Sequence, residues 1–538
     1  MAGDDFAAQA PLMREPESAR NSIDNNSFIS EGQPTSPSAF IWALSVAAGI
    51  SGILFGYDTG VISSTLVSIG PADLSHPLST LDKSLITSST SLFALIASPL
   101  AGILADRCGR KYVVLVSDVL FVVGALWQAW TVNVTGLVMG RSIIGLAVGG
   151  ASLVVPLYIS ELSPSAFRGM LVTLSILFIT GGQVVAYVLG YVLAQRAHGW
   201  RWMVGLGAMP AGFQFGLLLM LPETPRWLVK AGHEDAAREV LMKVYVSDTN
   251  TTAERVLQDI KKEIFEEEST SKLIHTHVHG DDIWPWLTQL QHRMTELLYV
   301  GGNRRGLVIA CFLQGLQQLC GFNSIMYFSA TIFSLLGFTS PILTSLWVAV
   351  TNFVCTLLAL LIIDRVGRRA ILLRSIPVMI AGLVLCSVSY HFLGLPGNDV
   401  NVLQQIQSAA SSPWATFIVV SLLIFVCGYA IGVGNIAWQQ SELFPLSVRS
   451  LGSGFATATN WGCNFLVGLT FLPLMEYLTP VWTFSLYALV CLVGWFLAWK
   501  IYPETKGMGL EDMRGLLRDG WGVKKSSDRP ASPRLRVS

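Results

Sequence analysis

The sequence predicts an all-α integral membrane protein in which twelve spanning helices form two pseudo-symmetric six-helix halves joined by a helical cytoplasmic loop. Three observations carry this. The 538 residues are 52% hydrophobic and only 13% charged, with a mean hydropathy of +0.54, which is about half the charge of an ordinary soluble chain. The apolar residues fall into blocks of the roughly 20 residues that cross a 30 Å hydrocarbon core as a helix. Finally, the motifs between blocks occur twice, at matching places.

Residues 1–39 are polar and lack an apolar core, so we expect a disordered cytoplasmic tail and no cleaved signal peptide, the first span itself inserting the chain. Spans are expected at 40–62, 84–104, 112–131, 137–159, 171–192 and 202–221. A polar linker, 222–304, separates them from 306–336, 341–363, 370–391, 414–437, 450–474 and 480–501. The halves are thus 40–221 and 305–502, with 503–538 a second cytoplasmic tail. Lipid offers no backbone partners, and runs this continuous do not alternate as barrel strands do. In the linker, 234–246 and 253–268 are charged and helix-prone, which predicts short cytoplasmic helices with a solvated face.

Orientation follows from the basic loops. Arg107, Arg110, Lys111, Arg168, Arg365, Arg368, Arg369, Arg374 and Arg449 lie between alternate spans, whereas Lys83, Arg196 and Arg201 are nearly the whole stock of the other loops. The first set is expected in the cytoplasm with both termini, in a multi-pass plasma-membrane protein. Lys plus Arg equals Asp plus Glu, 35 against 35, so charge gives no reason to expect a nucleic-acid partner. Seven of the 8 cysteines fall inside spans, which argues against a disulfide framework. His275, His277 and His279 have a spacing of two and no fourth ligand, so no metal is expected. No cofactor is expected either: there is no nucleotide loop of the G-x-x-x-x-G-K-[ST] type and no nucleophile constellation, which disfavours an ATP-driven pump and an enzyme alike.

The internal repeat comes next. Asp106-Arg107-Cys108-Gly109-Arg110-Lys111 follows span two, and Asp364-Arg365-Val366-Gly367-Arg368-Arg369 follows span eight. Ser160-Glu161-Leu162 with Arg168 is echoed by Ser441-Glu442-Leu443 with Arg449, and Pro222-Glu223-Thr224, leading to Arg226, by Pro503-Glu504-Thr505. The positive-inside rule alone explains the arginines but not the matched Asp, Gly, Glu and Pro. Glycine permits a tight turn, and Asp, Glu and Arg at helix ends can pair with each other, with helix dipoles or with the partner half. Exposed pairs of this kind contribute about 0–1 kcal/mol each, which suits a cytoplasmic gate that opens and closes.

With these repeats the chain resembles the sugar porter branch of the major facilitator superfamily over residues 40–515. The motifs are Phe55-Gly56-Tyr57-Asp58-Thr59-Gly60-Val61-Ile62-Ser63, Gly140-Arg141, the doubled D-R-x-G-R-[KR], Pro222 to Leu228, Gln317-Gln318 with Gly321, Asn323 and Tyr327, and Pro503 to Gly507. The resemblance implies two repeats rocking about a central site, in a protein that functions as a monomer in lipid.

Polar side chains within spans are candidates for that site. Gln314, Gln317 and Gln318 stand at i, i+3 and i+4, one helical face, and amides both donate and accept, as a ring of hydroxyls requires. Tyr327 lies further along the same span, and Asn460, Trp461 and Asn464 in span eleven could complete the shell. By the resemblance, Gln183, Gln317, Gln318, Asn323, Asn352 and Trp438 fall on polyol-binding positions. Inter-helix hydrogen bonding, about 0.6 kcal/mol per contact, is the competing explanation.

Asp58 is costly at a helix centre, about 2.5–3.5 kcal/mol on insertion scales. It lies ~27 Å along span one from the cytoplasm and Arg141 ~28 Å along span four, at 1.5 Å per residue, so the two share a level. Such a pair can separate when the acid is protonated, or it can be a static ion pair. Proton-linked sugar porters carry Asp in this motif, so the resemblance favours proton coupling. The usual G-P-x-P-W hexose pattern is replaced by Gly432 to Trp438 with Asn435 and no proline, and with Ala456 to Trp461 this resembles fungal proton-coupled myo-inositol transporters. A proton-coupled hexose carrier is the near alternative; a non-transporting nutrient receptor is a further one, disfavoured by the short tail.

Overall fold

A computed structural model describes the backbone of residues 39–71, 73–163, 165–245, 250–277, 285–394, 412–437, 443–506, 515–518 and 520–523, and the side chains of most of them. The first half contains α1 (Ala39–Ser68), α2 (Thr80–Cys108), α3 (Arg110–Trp130), α4 (Val134–Leu162), α5 (Ser165–Leu193), α6 (Gly199–Gly205) and α7 (Ala208–Met220). Between the halves run α8 (Pro225–Lys230), α9 (Glu234–Val244), α10 (Asn250–His277) and α11 (Pro285–Tyr299). The second half contains α12 (Gly301–Leu319), α13 (Phe322–Leu335), α14 (Pro341–Val366), α15 (Arg368–Leu393), α16 (Pro413–Ile431), a short turn Val433–Ile436, α17 (Leu446–Tyr477) and α18 (Thr479–Ile501).

Among the described residues ten helical segments are long and apolar enough to cross a membrane. The places of spans seven and eleven are taken by the broken pair α12–α13 and by α17; α13 is outside those ten because it has only 14 residues, and α12 and α17 carry amides that lower hydropathy. Most helices outrun their apolar blocks: span two extends to Thr80–Cys108 and span eleven to Leu446–Tyr477. The block marks the thickness of hydrocarbon, while backbone hydrogen bonding continues the helix into the interface. At α2 the extension begins at a reciprocal cap, Ser79 Oγ accepting from Asp82 N at 3.1 Å and Asp82 Oδ2 from Ser79 N at 3.0 Å.

Within the first half α1 packs on α5, and α4 lies between α2 and α3; within the second, α15 packs on α16 and α18, and α12 on α17. Gly145 and Gly149 let α4 lie backbone to backbone on α2: a Cβ on Gly149 would stand 2.6 Å from Ala94 O, the close approach that small residues permit in membranes. The halves meet through α2 with α17, α5 with α14 and α1 with α13.

The linker helices are longer than expected in one case, α10 reaching His277, and shorter in the other, α9 ending at Val244. Helix α9 buries Ala237, Val240, Leu241 and Val244 against Ala253 and Leu257 of α10; the i, i+3, i+4, i+7 spacing is one amphipathic face. The side chains of His275 and His277, and all of His279, lie outside the described residues, as does the tail 1–38.

Candidate functional site

The seventh span is two helices. Gly321 adopts φ +87°, a left-handed conformation available to glycine, and a Cβ there would stand 2.9 Å from the Tyr487 ring. Helix α12 therefore ends and α13 begins inside the membrane. The three glutamines precede this break and converge. Gln314 Nε2 donates to Ala437 O at 2.9 Å and Gln317 Nε2 to Gly434 O at 2.9 Å, both carbonyls just past the end of α16. Asn460 of α17 donates to Gln314 Oε1 at 2.5 Å and Gln317 Oε1 at 2.8 Å, and accepts from Gln318 Nε2 at 3.1 Å. Asn323 Nδ2 donates to Gln318 Oε1 at 2.7 Å. Across the seam, Asn352 Nδ2 donates to Gln183 Oε1 at 2.8 Å, joining α14 to α5.

These amides border a cavity of about 70 Å³ between the halves, with room for several waters. Of the expected residues, Gln183, Gln314, Gln317, Gln318, Asn323, Asn352 and Asn460 line it. Trp438 lies outside the described residues. Tyr327 is not on the lining; its hydroxyl accepts from Asn464 Nδ2 at 3.2 Å, and nine residues beyond Gln318 it falls about half a turn from the glutamine face even along an unbroken helix. The lining also includes Phe55, Thr59, Thr180, Phe322, Thr356 and Tyr429, which sequence reasoning did not assign. Thr180 and Thr356 stand three and four residues from Gln183 and Asn352, so same-face spacing was the available signal. Phe322 stacks on Tyr429 at 3.7 Å between centroids and Phe55 meets Trp461 edge-on at 5.6 Å. Aromatic faces beside amides suit a ring with apolar C–H faces and a polar rim.

Asp58 and Arg141 form a buried ion pair, Arg141 Nη1 donating to Asp58 Oδ1. They are 5% and 1% exposed, and removing either charge from such a pair is costly. On the side opposite the basic loops the halves are joined: Tyr187 OH donates to Met326 O at 2.5 Å, and lies 2.9 Å from Ser329 Oγ. Ser63 Oγ accepts from Ala330 N at 3.1 Å.

At the basic end the repeat has a single geometry. Gly109 and Gly367 take φ +101° and +103°, and after each the next helix begins with a glutamate over its first N–H groups. Glu223 accepts from Arg110 N at 3.1 Å and Lys111 N at 3.0 Å; Glu504 accepts from Arg368 N at 3.0 Å and Arg369 N at 3.2 Å. A carboxylate there satisfies orphan donors and meets the positive helix end. Burial holds the Glu223 carboxyl above its usual range, against the lowering by those N–H groups and Arg110. Arg110 also pairs with Glu161 at 3.1 Å and Asp106 at 3.2 Å. Arg226 reaches Glu263 at 3.7 Å, Arg368 Nη1 reaches Thr505 Oγ1 at 3.2 Å, and Arg449 Nη2 reaches Phe444 O at 3.5 Å. Arg107 and Arg365 are exposed, the Arg365 carbonyl accepting from Lys506 Nζ at 2.6 Å. Glu442 and the side chains of Arg168 and Asp364 lie outside the described residues. The first and third repeated motifs are thus two parts of one device, a glycine turn and its capping glutamate, and each device closes within its own half.

The model of the sugar (and other) transporter family matches residues 44–517. Among curated relatives, myo-inositol transporter 1 of Cryptococcus neoformans is 42% identical over 503 residues, 94% of this chain and 85% of that protein. Myo-inositol transporter 2 of Schizosaccharomyces pombe is 44% identical, covering 93% and 86%. Among solved structures, the xylose transporter XylE from E. coli in a partially occluded inward open conformation superposes with TM-score 0.70 at 25% identity, over 88% of this chain and 100% of that one. The proton:xylose symporter XylE bound to 6-bromo-6-deoxy-D-glucose gives 0.67 at 26%, over 90% and 100%. A match that runs from the first span to beyond the last takes in both halves and the linker: the chain belongs to the sugar (and other) transporter family and has the major facilitator fold.

Proposed function

We propose that the chain is a secondary active transporter, not an enzyme, that carries myo-inositol together with protons across the plasma membrane by alternating access. One observation carries the reading: an amide-lined cavity between the halves lies in the same bundle as a buried carboxylate–guanidinium pair, Asp58 with Arg141. The substrate follows from the relatives, which are named myo-inositol transporters, and from the match of amides and aromatic faces to a cyclic polyol. Gln183, Gln314, Gln317, Gln318, Asn323, Asn352 and Asn460 would hold hydroxyls, and Trp438 and Tyr327 are carried as binding residues on the sequence resemblance. The gate set is Asp106, Arg107, Arg110, Glu161, Arg168, Glu223 and Arg226 in one half, and Asp364, Arg365, Arg368, Glu442, Arg449 and Glu504 in the other.

The basic loops support a cytoplasmic location for both termini and the linker. The halves, 40–221 and 305–502, rock as bodies about 222–304, with 1–39 and 503–538 as tails. The protein works as a monomer, its exposed Trp130, Trp202, Trp347 and Trp482 facing lipid and its interface. A hexose is the second reading, favoured by the likeness to a symporter structure that holds 6-bromo-6-deoxy-D-glucose, a hexose analogue.

One proton per cycle supplies about 2.3 kcal/mol per 100 mV, which at 1.4 kcal/mol per tenfold is roughly fifty-fold accumulation. Labelled myo-inositol, glucose and xylose are offered to proteoliposomes with and without a pH gradient. We expect gradient-driven myo-inositol accumulation that Asp58→Asn abolishes while exchange persists. Hexose uptake without inositol uptake removes the substrate assignment, and a concentrating Asp58→Asn variant removes the coupling role.

A further inference from the structure

Helix α2 carries hydroxyls at Ser84, Ser88 and Ser91, spaced i, i+4 and i+7 on one face. A hydroxyl inside a helix ordinarily bonds back to a carbonyl one turn earlier. Three of their neighbours do so: Thr87 to Lys83 O at 2.8 Å, Ser89 to Ile86 O at 3.1 Å and Ser98 to Ala94 O at 2.8 Å. Ser84 and Ser88 do not. They are 0% and 1% exposed, and their Oγ atoms have no hydrogen-bond partner among the described residues. Facing Ser88 across the seam with α17 stands Gly468, whose Cβ, were there one, would stand 3.6 Å from Ser88 Cβ.

The face has two ends. Ser84 lies one turn inside the start of α2, on the outer side, with Asp82 and Lys83 beside it and Glu476 at the outer end of α17. About 10 Å deeper along the helix, Ser91 comes within reach of the Tyr327 hydroxyl, which feels both Asp58 and Arg141. Next to it, Thr90 Oγ1 donates to Arg141 O at 3.2 Å, which fixes this end at the depth of the ion pair. Among the described residues, Asp82, His76 at 3.8 Å from it, Lys83 and Glu476 stand at the mouth, and Asp58, Arg141 and Tyr327 are the titratable groups at the base.

We propose that Ser84, Ser88, Ser91 and the Tyr327 hydroxyl line the route by which protons pass between the outer face and the Asp58–Arg141 pair. Hydroxyls donate and accept at once, so buried and unpartnered ones stabilise a file of water along which a proton moves. The proton leaves a hydronium at the mouth, Asp58 takes it, Arg141 keeps its charge, and the pair is released. This rests on the proton-coupled reading above.

The test uses the full chain in proteoliposomes, measuring myo-inositol uptake against external pH, and counterflow with equal pH on both sides. In Ser84→Ala/Ser88→Ala the external pH for half-maximal uptake falls by about one unit, tenfold more protons, while counterflow stays within about two-fold. Ser84→Thr/Ser88→Thr, which keeps the hydroxyls, retains the wild-type profile. An unchanged profile in the alanine variant of a coupled wild type overturns the route alone, as does a parallel fall in counterflow. A wild type that does not concentrate substrate overturns the coupling reading and the route with it.

Discussion

Replacing Gly367 by alanine tests whether the repeated glycine and the repeated glutamate are one device. The backbone there has φ +103° and ψ 147°, a region essentially closed to side chains and costing about 1–3 kcal/mol. The new Cβ would also stand 2.7 Å from Glu504 Oε2, so the carboxylate must retreat by several tenths of an ångström from Arg368 N and Arg369 N. Losing one such charge-assisted hydrogen bond costs about 1.5–3 kcal/mol. The expected total is about 3–5 kcal/mol, read from denaturant unfolding in mixed micelles. In a Glu504→Ala background the cost of Gly367→Ala should shrink to the backbone part, about 1–3 kcal/mol. Gly109→Ala should behave alike, since its Cβ would fall against Glu223 Oε2. A cost below about 1 kcal/mol, or one unchanged without Glu504, refutes the coupling of turn to cap.

Tyr187→Phe deletes the hydroxyl that bonds Met326 O and meets Ser329, and at about 1 kcal/mol per net hydrogen bond should shift the balance toward the outward-open form by roughly five-fold for each bond lost. Distance measurements between labels on the outer loops check this; an unmoved distribution counts against it. Asn460→Leu leaves Gln314, Gln317 and Gln318 short of partners and should raise the transport KM about ten-fold or more, the equivalent of one lost polar contact; an unchanged KM would take Asn460 out of the site. Because burial raises the folded-state pKa of Glu223, its contribution is fully present below the ordinary carboxyl pKa and is lost as pH rises through the folded value. Melting curves should therefore show the wild type losing stability relative to Glu223→Gln across that rise, and a gain instead would show that the N–H groups outweigh burial.

Much of this was legible in the residues because the membrane imposes one period and one length. Blocks of apolar residues gave the spans, and counting 1.5 Å per residue put Asp58 and Arg141 at one depth, where the structure pairs them. The glutamine face was readable from i, i+3, i+4 spacing alone. What spacing could not give was the break in the seventh span: 306–336 reads as one continuous apolar run, and Gly321 differs from its neighbouring glycines only in a dihedral angle that packing against Tyr487 dictates. The glutamates of the repeated Pro-Glu-Thr were legible as a matched pair, but their partners are backbone N–H groups, which every sequence has and none advertises.

The break at Gly321 also orders events in time. The portion beyond it, α13, carries Met326, Ser329 and Ala330, which close the outer side, while the portion before it, α12, carries the glutamines. A joint between lid and grip lets the lid swing shut after a substrate has been seized, without loosening the hold. An unbroken helix would have to move both at once, and each closing stroke would tend to eject what it had caught. On the proposed transport reading an occluded intermediate would be a resting point built into the seventh span, and a rigid joint should be seen first as cycles that complete without cargo.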